Sequence, residues 1–241
     1  MRLLVSATSH IGLVRPVNED NYAAIAPGLF VVADGMGGHV AGEIASKLAI
    51  QTLLDTLAAI DPSTTALTRL EQGIDAANQA VFCRSQSDPL CLGMGTTLTA
   101  VCIESEKIYC GHVGDSRLYL FHAGKLRQVT DDHSLVWELA RNGSITPEET
   151  RTHPQRNILT RAIGAAAAVQ IDFTELEWAA GDILMLCTDG LTGMLEDSQI
   201  EAVLAAEASL NERLAMLVDA ANHAGGLDNI TVMLLQQEAK S

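Results

Sequence analysis

Four aspartates in this chain stand at the ends of apolar runs, and that placement constrains the fold more than any other feature. Asp34 closes Phe30-Val31-Val32-Ala33 and precedes Gly35, while Asp189 closes Leu184 to Thr188 and precedes Gly190. Asp115 follows Gly111 to Gly114, and Asp228 leads into Asn229-Ile230-Thr231-Val232. A carboxylate at the end of a buried strand is held rigidly while its head reaches solvent at the sheet edge. A glycine beside it lets backbone oxygens approach an ion. Mg²⁺ and Mn²⁺ take such hard oxygen ligands and usually keep several waters. Taken singly, each aspartate reads more readily as a turn residue, because Asp-Gly and Asx turns are common. Taken together they read differently. If these strands adjoin, their charges repel severely unless cations neutralise them.

The surrounding pattern places these residues in an α+β fold. Short apolar runs at Leu3 to Ala7, Tyr22 to Ile25 and Leu29 to Ala33 have strand length. Two helices are expected next. One runs from Ala41 to Leu57, and one begins at Leu67 with the stripe Leu70, Ile74, Ala77 and Val81. Asp61 to Thr64 supplies the stop and a fresh cap between them. Strands return at Gly95 to Ile103, Ile108 to Val113, Arg117 to His122 and Leu126 to Val129, with Ala123-Gly124 as a hairpin turn. The polar stretch from Asp131 to Gly164 carries Arg141, Arg151, Arg156 and Arg161, a short helix at Leu135 to Arg141, and a capping box at Thr146 to Glu149. It reads as an excursion from the core. Strands at Ile171 to Leu176, Ile183 to Cys187 and Ile230 to Leu235 follow, with helices at Gln199 to Ala208 and Asn211 to Asn222. Elements come in blocks rather than strict alternation, which favours mostly antiparallel sheets in one domain over residues 1–241.

Composition excludes several classes of function. With 48% hydrophobic and 19% charged residues the chain is expected to be globular. A formal charge of -15 argues against nucleic acid and against anionic membrane surfaces. It still allows a phosphorylated substrate where bound cations reverse the local sign. The five cysteines have no C-x-x-C pair and read as small buried hydrophobes in a reducing compartment. Neither a signal peptide nor an apolar run of about 18 residues is evident, so a cytoplasmic protein is expected. Arg15 alone is more often a surface residue than a phosphate clamp. His39, His112 and His133 lack a zinc-like spacing, and His112 alternates within a strand as a structural residue would.

Seven blocks in order along the chain resemble the type-2C metal-dependent protein Ser/Thr phosphatases, in their compact bacterial form. They are Arg15-Pro16-Val17-Asn18-Glu19-Asp20, Val32 to His39, Gly93-Met94-Gly95-Thr96-Thr97, Val113-Gly114-Asp115-Ser116-Arg117, Thr130 to Ser134, Cys187 to Leu191, and Gly226 to Thr231. The resemblance implies two packed, mostly antiparallel sheets flanked by helix pairs, with Mg²⁺ or Mn²⁺ in the cleft between them. Carried over by position, Asp34 bridges two cations, Gly35 ligates one through its carbonyl, and Asp189 and Asp228 complete the first cation's shell. Asp115, with Asp189, holds a third, weaker cation. Arg15 binds the substrate phosphate, Glu19 and Asp20 orient waters from a second shell, and Asn229 belongs to that shell. Residues 132–164 correspond to a variable flap. The implied reaction is hydrolysis of phosphoserine or phosphothreonine by in-line attack of a metal-bridging hydroxide, with Asp34 a ligand rather than a nucleophile. The implied partner is a phosphoprotein, such as the target of a Ser/Thr kinase, acted on by a monomer. One position departs from the pattern: eukaryotic members carry a histidine where this chain has Met36. A thioether cannot donate a proton, so a metal-bound water is the expected donor to the leaving oxygen, with His39 as the alternative.

Two rival readings make different demands. A haloacid-dehalogenase phosphatase needs an Asp-x-Asp nucleophile motif, and Asp34-Gly35-Met36 lacks the second aspartate. A catalytically dead phosphoprotein-binding module would be expected to have lost metal aspartates, and here all are present.

Overall fold

The computed structural model describes residues 3–25, 28–37, 41–104 and 106–237. His39 lies outside them. The chain forms two sheets face to face, each backed by helices on its outer side. One sheet contains β1 (Leu3–His10), β7 (Arg117–His122), β8 (Lys125–Gln128), β10 (Ile183–Cys187) and β11 (Ile230–Gln237), in the order β1-β11-β10-β7-β8. The other contains β2 (Asp20–Ile25), β3 (Leu29–Met36), β5 (Leu98–Glu104), β6 (Lys107–Val113) and β9 (Asp172–Glu177), in the order β2-β3-β5-β6-β9; the short β4 (Gly95–Thr96) pairs with the end of β3. Every strand pairing among the described residues is antiparallel.

Strand alternation explains why β3 and β10 read as continuous apolar runs. Phe30 and Val32 face the space between the sheets together with Leu184 and Leu186, while Val31 and Ala33 face one helix layer and Ile183, Met185 and Cys187 the other. Strands buried on both sides lose the polar half of the usual period-two pattern. Helices α1 (Ala41–Ala59) and α2 (Ala66–Ser87) cover the β3 sheet. The β10 sheet is covered by α6 (Asp197–Leu204) and α7 (Leu210–His223), with the single turn α5 (Asp189–Thr192) between β10 and α6. The expected α+β arrangement of two packed sheets flanked by helix pairs is therefore the observed one.

Several local expectations need correction. The strand expected over Gly95 to Ile103 is broken at Thr97, whose N–H donates to Asp34 O (2.9 Å) instead of continuing the ladder. The cap of α2 is Thr65 rather than a residue of Asp61 to Thr64, and α6 ends at Leu204, short of Ala208. Cys91, Cys110 and Cys187 are buried as expected, but Cys83 is exposed on α2. The hairpin at Ala123-Gly124 holds, with both residues at positive φ (49° and 79°), the geometry a two-residue turn requires. Within the polar stretch lie α3 (Leu135–Arg141) and α4 (Pro147–Thr150), the latter with the Thr146–Glu149 capping box in place. Among the described residues no helix is long and apolar enough to cross a membrane.

Candidate metal centre

Antiparallel order brings the four aspartates to one edge of the sandwich. β3 and β6 both run against β5, so Asp34 in β3 and Asp115, two residues beyond β6, emerge on the same side. β10 runs against β11, so Asp189, after the end of one, neighbours Asp228, before the start of the other; Thr188 N donates to Thr231 O at 3.0 Å across that junction. All four line a cleft of about 350 Å³, together with Arg15, Glu19, Gly35, Met36, Thr97 and Asn229. The aspartates are partly exposed, so their heads meet the cleft.

Local hydrogen bonds hold three of these aspartates in place. Asp34 N donates to Thr97 Oγ1 (2.8 Å), and Asp34 O accepts from both Thr96 Oγ1 (2.8 Å) and Thr97 N. Asp189 is the first residue of α5 rather than the close of a β-turn, and its carbonyl accepts from Gly193 N (2.6 Å). Asp228 Oδ1 accepts from Asn229 N (2.8 Å) and its Oδ2 from Arg15 Nη2 (2.6 Å). Gly35 is enclosed between two chain segments: a Cβ there would lie 2.0 Å from Gly42 O and 2.7 Å from Glu19 O, so no other residue fits. Asn229 spends its whole side chain on the backbone. It accepts from Glu19 N (2.8 Å) and donates to Ile11 O (2.9 Å) and Val17 O (3.0 Å), which ties the loop bearing Arg15 and Glu19 to the start of β11.

The electrostatics are those of a site that needs positive charge. Asp20 sits directly opposite Asp34 in the β2–β3 ladder, a placement that like charges oppose. Burial, then the charges of Asp20, Asp189, Asp115 and Asp228, push the Asp34 carboxyl well above the usual aspartate range. Burial and the charge of Asp228 raise Asp189. Asp115 is raised by burial and by Asp189. Asp20 is raised to about 7, chiefly by burial, despite accepting from the hydroxyls of Thr188 (2.8 Å) and Thr231 (2.7 Å).

Three buried carboxylate oxygens, Glu19 Oε1, Asp20 Oδ1 and Asp189 Oδ1, have no hydrogen-bond donor in the chain. Buried anionic oxygens without partners are costly, and a hard cation with its waters satisfies them. The residues present therefore fit divalent metal. Among the described residues no three acidic, imidazole or thiol side chains enclose one ion position by themselves. A Mg²⁺-type shell does not require that, since it is completed by backbone oxygens and water, and Arg15 here occupies an oxygen of Asp228.

A second, smaller cleft of about 120 Å³ shares Asp115, Asp189 and Asn157 with the first and extends to Arg117, Asp132, Arg151 and Arg156. Sequence reasoning passed over Thr97, Asn157 and the Arg117–Asp132 pair. Thr97, Arg117 and Asp132 did fall within quoted blocks; Asn157 reaches the cleft from a distant segment without a local signal. Two of the arginines in the polar stretch have protein partners. Arg151 donates to Thr192 O (3.0 Å), and Arg161 Nη1 to Asp172 Oδ1 (2.6 Å).

The chain is similar to known protein phosphatases in sequence and in fold. The sequence profile described as "Protein phosphatase 2C" matches residues 9–231. The chain is 39% identical over 238 residues to "Serine/threonine phosphatase stp" of Listeria monocytogenes serotype 4b (strain F2365), covering 94% of this chain and 93% of that protein. The crystal structure of the Mycobacterium tuberculosis serine/threonine phosphatase PstP/Ppp superposes with a TM-score of 0.91 at 40% identity, over 98% of this chain and 99% of that one. A structure of the catalytic domain of PstP in complex with two manganese ions matches with a TM-score of 0.89 at 38% identity, over 98% and 99% of the two chains.

Proposed function

The chain belongs to the protein phosphatase 2C family and is a metal-dependent protein serine/threonine phosphatase, and on that premise we propose that the carboxylate cleft is its active site. Asp34, Gly35, Asp189 and Asp228 hold two divalent cations, Mg²⁺ or Mn²⁺, and Asp115 with Asp189 holds a third, weaker one. Bound there, the cations supply positive charge and Lewis-acid polarisation of water and of phosphoryl oxygens. Arg15, 46% exposed at the cleft rim, grips the substrate phosphate through its forked N–H groups. Glu19 and Asp20 stand behind the aspartates as acceptors for ordered water, and Asn229 keeps the Arg15 loop in register with β11. Met36 lines the cleft without a proton to give, so the departing Ser or Thr oxygen takes its proton from cleft water. His39 stays the alternative donor.

The observation that carries this reading is the convergence of four aspartates from distant segments on one cleft, with anionic oxygens lacking partners. The same reading makes residues 1–241 one catalytic domain with a flap at about residues 132–164. It makes phosphoproteins, including targets of Ser/Thr kinases, the substrates, and a cytoplasmic monomer the working form. The test is hydrolysis of p-nitrophenyl phosphate with Mn²⁺, with and without EDTA, by the wild type and Asp34→Asn. Activity is expected only in the wild type with metal. Full turnover by Asp34→Asn in excess Mn²⁺ sinks the assignment.

A further inference from the structure

His133 opens the polar stretch of the chain, yet it is only 2% exposed. Its backbone N–H donates to Gly114 O (2.7 Å), and its carbonyl accepts from Thr160 N (2.8 Å). The ring bonds to the same glycine, since Gly114 N donates to His133 Nδ1 at 3.0 Å. A backbone amide can only donate, so Nδ1 carries no proton and the neutral ring is protonated at Nε2. Nε2 then donates to Asp172 Oδ2 (3.1 Å), and Arg161 holds that carboxylate from the other side. Burial keeps the His133 pKa below its ordinary value, in keeping with a neutral ring.

Gly114 immediately precedes Asp115. It has φ +115°, and a Cβ on it would lie 2.6 Å from Thr97 Cβ, the residue whose hydroxyl accepts from Asp34 N. The loop carrying Asp115 is thus clamped between Thr97 and His133. His133 also meets the returning end of the polar stretch, where Leu135 N donates to Ile158 O (2.8 Å) and Ser134 bridges Leu159.

We propose that His133 is a positioning residue: its imidazole, anchored by Asp172, sets the Asp115 loop against the base of the flap and so tunes the cation site to which Asp115 contributes. This rests on the reading of Asp115 as a cation ligand. A partner that orients a metal ligand commonly contributes about 10–100-fold in metal affinity or activity.

Two substitutions divide the ring's contacts. His133→Asn places an amide oxygen near Nδ1 and keeps an acceptor for Gly114 while giving up Asp172. His133→Gln reaches toward Asp172 and gives up that acceptor. In H133Q the Mg²⁺ concentration giving half-maximal turnover is expected to rise roughly tenfold, with KM for a phosphopeptide unchanged, while H133N, which keeps the acceptor for Gly114 and loses only the Asp172 anchor, shifts by a smaller factor. In the metal-free protein, hydrogen exchange of the Gly114 amide should accelerate in H133Q and not in H133N. Combined with Asp115→Asn, H133Q should add nothing to the loss, because both act on one site. Asp172→Ala, at a side chain 40% exposed, shifts the Mg²⁺ dependence the same way and keeps the test decisive where H133Q fails to fold. Equal behaviour of H133N and H133Q, a full additive loss in the double variant, or an unchanged Gly114 exchange rate overturns the proposal. An Asp115→Asn enzyme with wild-type Mg²⁺ dependence overturns the Asp115 reading itself, an outcome distinct from failure at His133.

Discussion

Asp20→Asn should stabilise the metal-free protein, and the gain should depend on pH. Asp20 is buried across the ladder from Asp34, and its carboxyl is raised from 3.8 to about 7. A carboxyl raised on folding opposes the fold when it ionises. Stability is therefore whole below the unfolded pKa and declines as pH rises through the folded one. A rise of this size corresponds to at most about 4 kcal/mol above pH 7. Relaxation of the neighbouring carboxylates reduces this, and a gain of about 2 kcal/mol is the working expectation. Asparagine is isosteric, its oxygen can accept from Thr188 and Thr231, and its NH₂ replaces an oxygen that already has no donor. For a chain of this length about 2 kcal/mol is roughly 4–8 °C in Tm. The assay is thermal melting by circular dichroism in EDTA at pH 8 and at pH 5.5, where only about half of the penalty has developed. Saturating Mg²⁺ should shrink the gap. A D20N variant no more stable than the wild type at pH 8, or a gap that does not narrow at pH 5.5, refutes the reasoning.

Arg15→Ala should raise KM for a phosphopeptide while leaving the metal-induced rise in Tm intact; its exposed pair with Asp228 contributes only about 0–1 kcal/mol to the fold, so the melt without metal should barely change. Asp132→Ala should lower stability by about 3–5 kcal/mol in urea denaturation, because it strands Arg117, which now donates twice to that carboxylate at 2.8 and 2.7 Å in a largely buried setting. Chelation should lower Tm, since metal binds only the folded cleft; cation at about 100 times its Kd is worth about 3 kcal/mol, and an EDTA-insensitive melt contradicts the reading.

The fold was legible where burial follows chain periodicity. The stripe from Leu70 to Val81 and the apolar runs of β3 and β10 each announce their element, because local pattern and tertiary environment agree. The candidate site was legible because its aspartates sit at strand ends, in short blocks with glycine beside them. What escaped depends on contacts between distant segments. Thr97 leaves the ladder to bond Asp34, 63 residues away, and no property of Gly95 to Ile103 signals that break. Asp189-Gly190 suggests a turn, but Gly190 packs against the Asn229 carbonyl and the chain continues into α5. Within the polar stretch no local pattern assigns Arg151 and Arg161 a partner; Thr192 and Asp172, later in the chain, supply them.

The same separation bears on how an acidic protein handles an acidic substrate. A net charge of -15 repels phosphate over most of the surface. Arg15 alone does not reverse this in the cleft, since Asp228 already engages it and Asp34, Asp115 and Asp189 stand behind. Under the reading advanced above, phosphate binding and metal binding are linked, and by thermodynamic reciprocity each strengthens the other. Burial that raises the aspartates works to the same end. It makes the ionised cluster unfavourable without cations, so the energy stored in mutual repulsion favours cation capture. A surface cluster of equal charge, screened by water and salt, would hold neither metal nor phosphate as tightly.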